Sequence, residues 1–450
     1  MSRLLFPVVT FLVVLPVLAQ NPGKLKTLPP AHSRSCEVVK DPPTDAERMN
    51  AAGEPKKADE LYKTELAAHP ADAALRAASI RNLIDEDLID QADQAAQDFV
   101  TETKESPISV EITAEVRFRR GDLPESYVLL LRSNKEDPCY ARTYLAMAAF
   151  EDLSGFHATA EKHVKLARQL DPQDLDIHYR WIGTLPRDKQ VAAMQEFFDA
   201  NKGLSEKRRR AFAKSLQKVA AIGVHPCRLV STAKTYTVPM QEIAEDRHAN
   251  IGTASYGLKT FINGKDRNLQ IDTGATGILV AYSMASGLDL TYEADSFLGG
   301  VGSDGRQGSK EAFAKKISIG GMDFEDCSVT VLANSGLMGG SSEIGQRLDN
   351  SDGLIGTDVF RKYLVTLNYL THELRVDPLP ANPTAPPPGP AGLDALGGFN
   401  DASIRFGDRT TDPSMAKWTR VYRDGHMLFM PTHLNSSPGT KLFLVDTGAA

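Results

Sequence analysis

From residue 45 to 201, apolar residues recur at helical spacing with few β-branched runs, which predicts helices throughout. A longer period is superimposed on the helical one. Gly53, Asp87, Gly121 and Gly155 are each 34 residues apart, and five residues later stand Ala58, Ala92, Ser126 and Ala160, all small. Pro70, Pro138 and Pro172 fall on the same period, while the second unit has Lys104 there, with Pro107 close by. In such a unit the Gly or Asp ends a first helix, the small residue lets two helices approach, and the Pro stops the second helix.

Beyond a connector the pattern changes to alternation, with more Gly, Thr, Val and Ile, so strands are expected. Asn263-Gly264, between GLKTFI and KDRNLQI, predicts a hairpin turn. The second strand of that hairpin runs into Asp272-Thr273-Gly274-Ala275, and the same junction recurs 174 residues on as Asp446-Thr447-Gly448-Ala449. Each copy is an apolar strand ending in Asp-Thr-Gly-Ala. Residues 298–308 are glycine-rich, with Gly299, Gly300, Val301 and Gly302 suited to a mobile hairpin over a bound peptide. Leu354-Ile355-Gly356 precedes a predicted short helix and a strand, and a further hairpin closes the unit before Pro378.

The duplicated junction suggests a chemistry. Two carboxylates held together cannot both ionise easily and share a proton, so one can take a proton from water while the other donates to a peptide carbonyl. Asp272 and Asp446 are the candidate catalytic pair. Thr273 and Thr447 would fix the carboxylates by hydrogen bonds, and Gly274 and Gly448 would let the backbone turn tightly beside them.

The repeats resemble the tetratricopeptide repeat, with Tyr62 at the aromatic position, and that resemblance implies a protein partner on the helical surface. The region 241–377 resembles a lobe of the retropepsin-like and pepsin-like aspartic peptidases of bacterial exported proteins. Asp272-Thr273-Gly274 matches the family's catalytic motif, Leu354-Ile355-Gly356 its apolar-apolar-Gly signature, and the glycine-rich run its flap. Asp358 stands at the family's acidic position, where helix N-capping is the expected role. The resemblance implies an endopeptidase that takes an extended polypeptide substrate, without metal or cofactor. Two alternatives stay open: the first lobe homodimerises through Asp272, or the lobes are inert on an exported repeat scaffold. The chain ends at Ala450, two residues past Gly448, so it is expected to be a fragment of a longer product with a truncated second lobe.

The expected architecture is therefore multidomain. It comprises a signal peptide over 1–19, a linker over 20–44, an α-helical repeat domain over 45–201 and a connector over 202–240. An all-β acid-protease-like lobe follows over 241–377, then a Pro-rich linker over 378–398 and a partial second β lobe over 399–450. The signal peptide rests on Arg3 followed by an apolar run and small residues at Val17 and Ala19, and it implies export to the periplasm or medium. A net charge of −7 gives no electrostatic reason for a nucleic acid or membrane partner, and the basic run Lys207 to Arg210 is expected on a solvated helix face. Gly300 to Gly305 fits a dinucleotide fingerprint, but it lacks the strand-helix-strand context, so no cofactor is expected. Four cysteines, Cys36, Cys139, Cys227 and Cys327, allow three pairings, among which spacing does not choose. Trp181 and Trp418 are expected in cores or interfaces, and no histidine is assigned chemistry.

Overall fold

The computed structural model describes residues 36–200, 206–225, 227–243, 255–299, 306–332, 351–360, 362–379, 408–409, 412–415, 417–435 and 440–448. Helix pairs build the first half. They are α1 (Asp45–Ala51) with α2 (Pro55–Ala68), α3 (Ala73–Asp85) with α4 (Ile89–Thr103), and α5 (Pro107–Arg120) with α6 (Leu123–Glu136). Next come α7 (Ala141–Leu153) with α8 (His157–Leu170), and α9 (Leu175–Ile182) with α10 (Arg187–Ala200).

The 34-residue period has a backbone cause. Gly53, Asp87, Gly121 and Gly155 follow the first helix of a pair with φ of 74°, 61°, 87° and 86°, the left-handed conformation that ends a helix. Ala58, Ala92, Ser126 and Ala160 are at most 1% exposed, where the second helix crosses close to its neighbours. α2, α6 and α8 end two residues before Pro70, Pro138 and Pro172, whereas α4 ends at Lys104 with φ 54°. Pro107 does not stop α4; it opens α5, where its missing N–H costs nothing.

Charges join the first helices of successive pairs. Arg81 on α3 bridges Glu111 and Glu115 on α5 at 2.7 and 2.8 Å, and Arg142 on α7 bridges Asp174 and Asp176 at the start of α9. The segment before α1 belongs to this body rather than to a free linker. Cys36 is disulfide-bonded to Cys139, and Val39 N–H donates to Leu170 O at 2.9 Å.

The expected connector over 202–240 is largely regular structure. It holds α11 (Glu206–Val224), β1 (Arg228–Leu229) and the start of β2 (Tyr236–Ile243), so the sheet begins earlier than the expected boundary at 241. Their partners explain this. β1 pairs with a distant strand, β2 is continued by the strand that ends the lobe, and α11 lies on a β-hairpin. The sheet continues with β3 (Ser255–Ile262), β4 (Lys265–Asp272), β5 (Ile278–Val280), β6 (Thr291–Gly299), β7 (Arg306–Ile319) and β8 (Met322–Leu332), with the one-turn helix α12 (Tyr282–Ala285) after β5. β9 (Gly353–Gly356), β10 (Tyr363–Asn368) and β11 (Glu373–Pro378) complete it. Asn263 and Gly264 turn β3 into β4 with φ of 49° and 81°, the geometry of a two-residue hairpin.

Neighbouring strands run β3-β4-β9-β5-β8-β7, and β7 pairs back onto β3 from Thr260↔Ile319 to Ile262↔Ile317. This closes a barrel, which leaves these strands few free edges. Leu258, Leu269, Ile271, Ile278, Ile317 and Ile355 are among the residues of its core. Cys227 is disulfide-bonded to Cys327 on β8, which fastens the end of α11 to the barrel. A second sheet of β12 (Tyr422–Asp424), β13 (Met427–Thr432) and β14 (Lys441–Leu444) is antiparallel throughout. The expected signal peptide over 1–19 lies outside the described residues, as does nearly all of the Pro-rich linker over 378–398.

Candidate active site

β4 and β9 are parallel neighbours, and their register sets Asp272 opposite Gly356. This accounts for the Leu354-Ile355-Gly356 pattern. Ile355 is buried in the barrel core, whereas Gly356 N–H donates to Gly277 O at 2.8 Å and a Cβ there would strike the Ala275 carbonyl. Any larger residue at 356 would push away the loop that follows Asp272. Asp358 acts on the same loop. Its carboxylate is buried, accepting from Thr276 Oγ1 at 2.9 Å and from Gly277 N–H at 2.8 Å. Asp358 is the second residue of a 3-10 turn, Thr357–Phe360, so the expected N-cap role is corrected: it staples the Asp272 loop instead.

β14 delivers the second loop, with Val445 N–H donating to Leu428 O at 2.8 Å. The two Asp-Thr-Gly loops then meet in a reciprocal pattern. Thr273 Oγ1 donates to Val445 O and accepts from Thr447 N–H at 3.0 Å. Thr447 Oγ1 donates to Ile271 O at 3.0 Å and accepts from Thr273 N–H at 3.1 Å. Each hydroxyl thus binds the backbone of the opposite loop on both sides of that loop's aspartate. Thr273 is 4% exposed and Thr447 is half-buried, so these bonds are partly shielded from competing water.

The carboxyls face each other above this pattern. Asp272 Oδ1 accepts from Gly274 N–H at 2.7 Å and Ala275 N–H at 3.1 Å, and Asp446 Oδ1 accepts from Gly448 N–H at 2.8 Å. A Cβ on Gly274 would lie 3.0 Å from Asp446 Cγ, and one on Gly448 would collide with the Asp272 carboxyl. Glycine is therefore required by close approach of the opposite carboxylate, and not by a left-handed turn. Burial, together with the charge of Asp446 and a hydrogen bond to it, pushes the Asp272 carboxyl up to about 6, against the pull of the Gly274 N–H. Within the chain, the carboxyl that Asp272 faces is that of Asp446.

The expected flap falls on the hairpin of β6 and β7, whose last described pair is Gly299↔Arg306. Gly300, Val301 and Gly302 lie outside the described residues. The Gly300–Gly305 fingerprint does too. A groove of 680 Å³ opens elsewhere, between α11 and β6, lined by Gln217, Ala220, Ala221, Tyr292, Glu293 and their neighbours. No residue of the two loops lines it. Of the tryptophans, Trp181 packs against the α7–α8 core, whereas Trp418 is 63% exposed and is no core residue.

Sequence reasoning found both aspartates, threonines and glycines that meet here. It missed the Thr276 and Gly277 partners of Asp358 and the Val445 and Ile271 carbonyls. No local signal marks these, because the partner atoms lie 81 to 176 residues away.

Among solved structures, the chain resembles a thermophilic TPR protein from Thermus thermophilus, at 18% identity and TM-score 0.30, covering 38% of this chain and 95% of that one. It also resembles a retropepsin-like aspartic protease from Rickettsia conorii, at 18% identity and TM-score 0.21, covering 32% of this chain and 96% of that one. No curated protein matches the chain. Residues 258–359, which carry the first Asp-Thr-Gly loop and the strand beside it, match the family model described as aspartyl protease.

Proposed function

We propose that the protein is an aspartic endopeptidase in which Asp272 and Asp446 activate a water molecule between them. The observation that carries this reading is the reciprocal threonine pattern, which sets two Asp-Thr-Gly loops face to face with their carboxyls in contact. Asp272 retains a proton up to about pH 6, and two carboxyls held this close share a single proton between them. The ionised carboxylate takes a proton from water as its oxygen bonds to the scissile carbonyl carbon. The neutral carboxyl gives its proton to the carbonyl oxygen, forming a tetrahedral diol. The carboxyl that took water's proton gives it to the nitrogen while the other carboxylate takes a proton from a diol hydroxyl, so the C–N bond breaks as the carbonyl re-forms, and no covalent enzyme intermediate is needed. The substrate is a polypeptide lying extended under the β6–β7 hairpin, bound chiefly through its main chain.

Export fits this reading. Two disulfides that each span about a hundred residues persist in an oxidising compartment, as the apolar N-terminus also suggests. The test is cleavage of a peptide library by the wild-type chain beside Asp272→Asn and Asp446→Asn. The proposal expects loss of cleavage in both variants, and unaltered cleavage in either would refute the shared dyad.

A further inference from the structure

The sheet that bears Asp446 is held against the helical repeats at several points. Leu123 and Phe150, from α6 and α7, form one buried cluster with Tyr422 of β12, joined at its margin by Phe118, Tyr127, Phe429 and Leu442. Two of the turn glycines that set the repeat period are contact points for this segment. A Cβ on Gly121 would lie 3.5 Å from Leu442 Cγ, on the strand leading to Asp446, and one on Gly155 would lie 2.7 Å from Arg409 Cδ. Arg409 N–H donates to Gly155 O at 3.0 Å, and Phe156 forms a β-bridge with Asp408.

Asp408 completes the attachment. The N-cap of α8 is Phe156, which has no side-chain oxygen to satisfy the free N–H groups of the first turn. Asp408 supplies it from 249 residues away: Oδ1 accepts from Thr159 N–H at 3.0 Å, and Oδ2 from Thr159 Oγ1 at 2.7 Å. A carboxylate at a helix N-terminus is favoured both by these donors and by the helix dipole. A three-stranded sheet has little core of its own, and its shape therefore depends on what it packs against.

We infer that the helical repeats are an intramolecular part of the catalytic apparatus, and that Asp408, Tyr422 and Leu442 are positioning residues that hold the Asp446 loop against the Asp272 loop. This rests on the proposed Asp272/Asp446 dyad. Leu442 lies on β14 four positions before Asp446, and Tyr422 of β12 is joined to that strand through Phe429 of β13, so displacement at this clamp carries into the separation of the carboxyls. Sub-ångström placement of this kind is what catalytic pairs require of their support.

Hydrogen exchange and kinetics on the full chain test it together. In Asp408→Ala and in Tyr422→Ala, amide protection over residues 441–448 and 271–275 falls about tenfold or more, because Thr447 N–H and Thr273 N–H lose their cross-loop acceptors. Protection of α1 to α4 stays at the wild-type level. kcat falls at least about tenfold with little change in KM, since the lost geometry belongs to the transition state. Asp408→Asn, which keeps an acceptor for Thr159 N–H, recovers most of both. Wild-type protection of the two loops in Asp408→Ala and Tyr422→Ala, with kcat within about twofold, would overturn the inference. Asp272→Asn separates the two ideas: it retains loop protection but abolishes cleavage if the dyad reading holds, whereas retained cleavage in that variant removes the dyad itself.

Discussion

Thr273 and Thr447 each serve two hydrogen bonds with a single hydroxyl, and each bond reaches into the opposite loop. Thr273→Val would keep the shape while leaving Val445 O and Thr447 N–H without that partner. A loss of about 2–3 kcal/mol in denaturant unfolding is expected, with Thr273→Ser recovering most of it. Asp272 makes a separate prediction about pH. Its carboxyl holds its proton up to about 6 in the folded chain, above the ordinary carboxylate value of 3.8, so the folded state binds the extra proton between those limits. Its contribution to stability is complete below about pH 4 and is lost as pH rises through about 6. Asp272→Asn should therefore stabilise the protein near neutrality by about 3 kcal/mol and leave it nearly unchanged at about pH 3.5, read from melting curves at the two pH values. At this scale the sequence was highly legible, because duplication of Asp-Thr-Gly marks both halves of the site. Asp358 was less so: its loop partners depend on β9 lying parallel to β4, a pairing that local chemistry does not reveal.

The helix α11 joins the repeats to the hairpin of β6 and β7. Lys218 on α11 reaches Glu311 of β7 at 3.0 Å, and that carboxylate, 1% exposed, also accepts from Ser328 and Thr330 hydroxyls. Lys218→Met leaves a buried charge with only neutral donors, so a loss of about 2–4 kcal/mol is expected, and Lys218→Met with Glu311→Gln should regain part of it. A double-mutant cycle by urea unfolding measures this coupling directly. Elements with local signatures are legible in the sequence. Asn263-Gly264 forces its hairpin, and left-handed residues at 34-residue spacing close the first helices of the repeats. The region 202–240 reads as a connector in sequence because the residues that α11, β1 and β2 pair with lie far along the chain. Its helical composition around Lys207 to Arg210 was visible, but not the hairpin that it covers.

Across the whole molecule, two disulfides tie residues far apart in the chain. Sequence allowed three cysteine pairings, and the structure has Cys36 with Cys139 and Cys227 with Cys327, spanning 103 and 100 residues. Closing loops of this size stabilises by about 4–5 kcal/mol each in the chain-entropy account, so reduction under native conditions should lower the unfolding midpoint sharply. Little change on reduction would mean that the helical and β bodies hold without them. The contact between α5–α8 and the second sheet had no sequence signature at all, since Asp408 caps a helix that begins 251 residues earlier.

The central claim is that one water is activated by Asp272 and Asp446 together. The most direct measurement is the pH profile of kcat/KM on a cleaved library peptide, for wild type, Asp272→Asn and Asp446→Asn. The account predicts an acidic optimum in wild type, activity falling about tenfold per pH unit above about 6 as Asp272 ionises, and no cleavage in either variant. Full activity persisting well above that pH, or surviving in either variant, would contradict it.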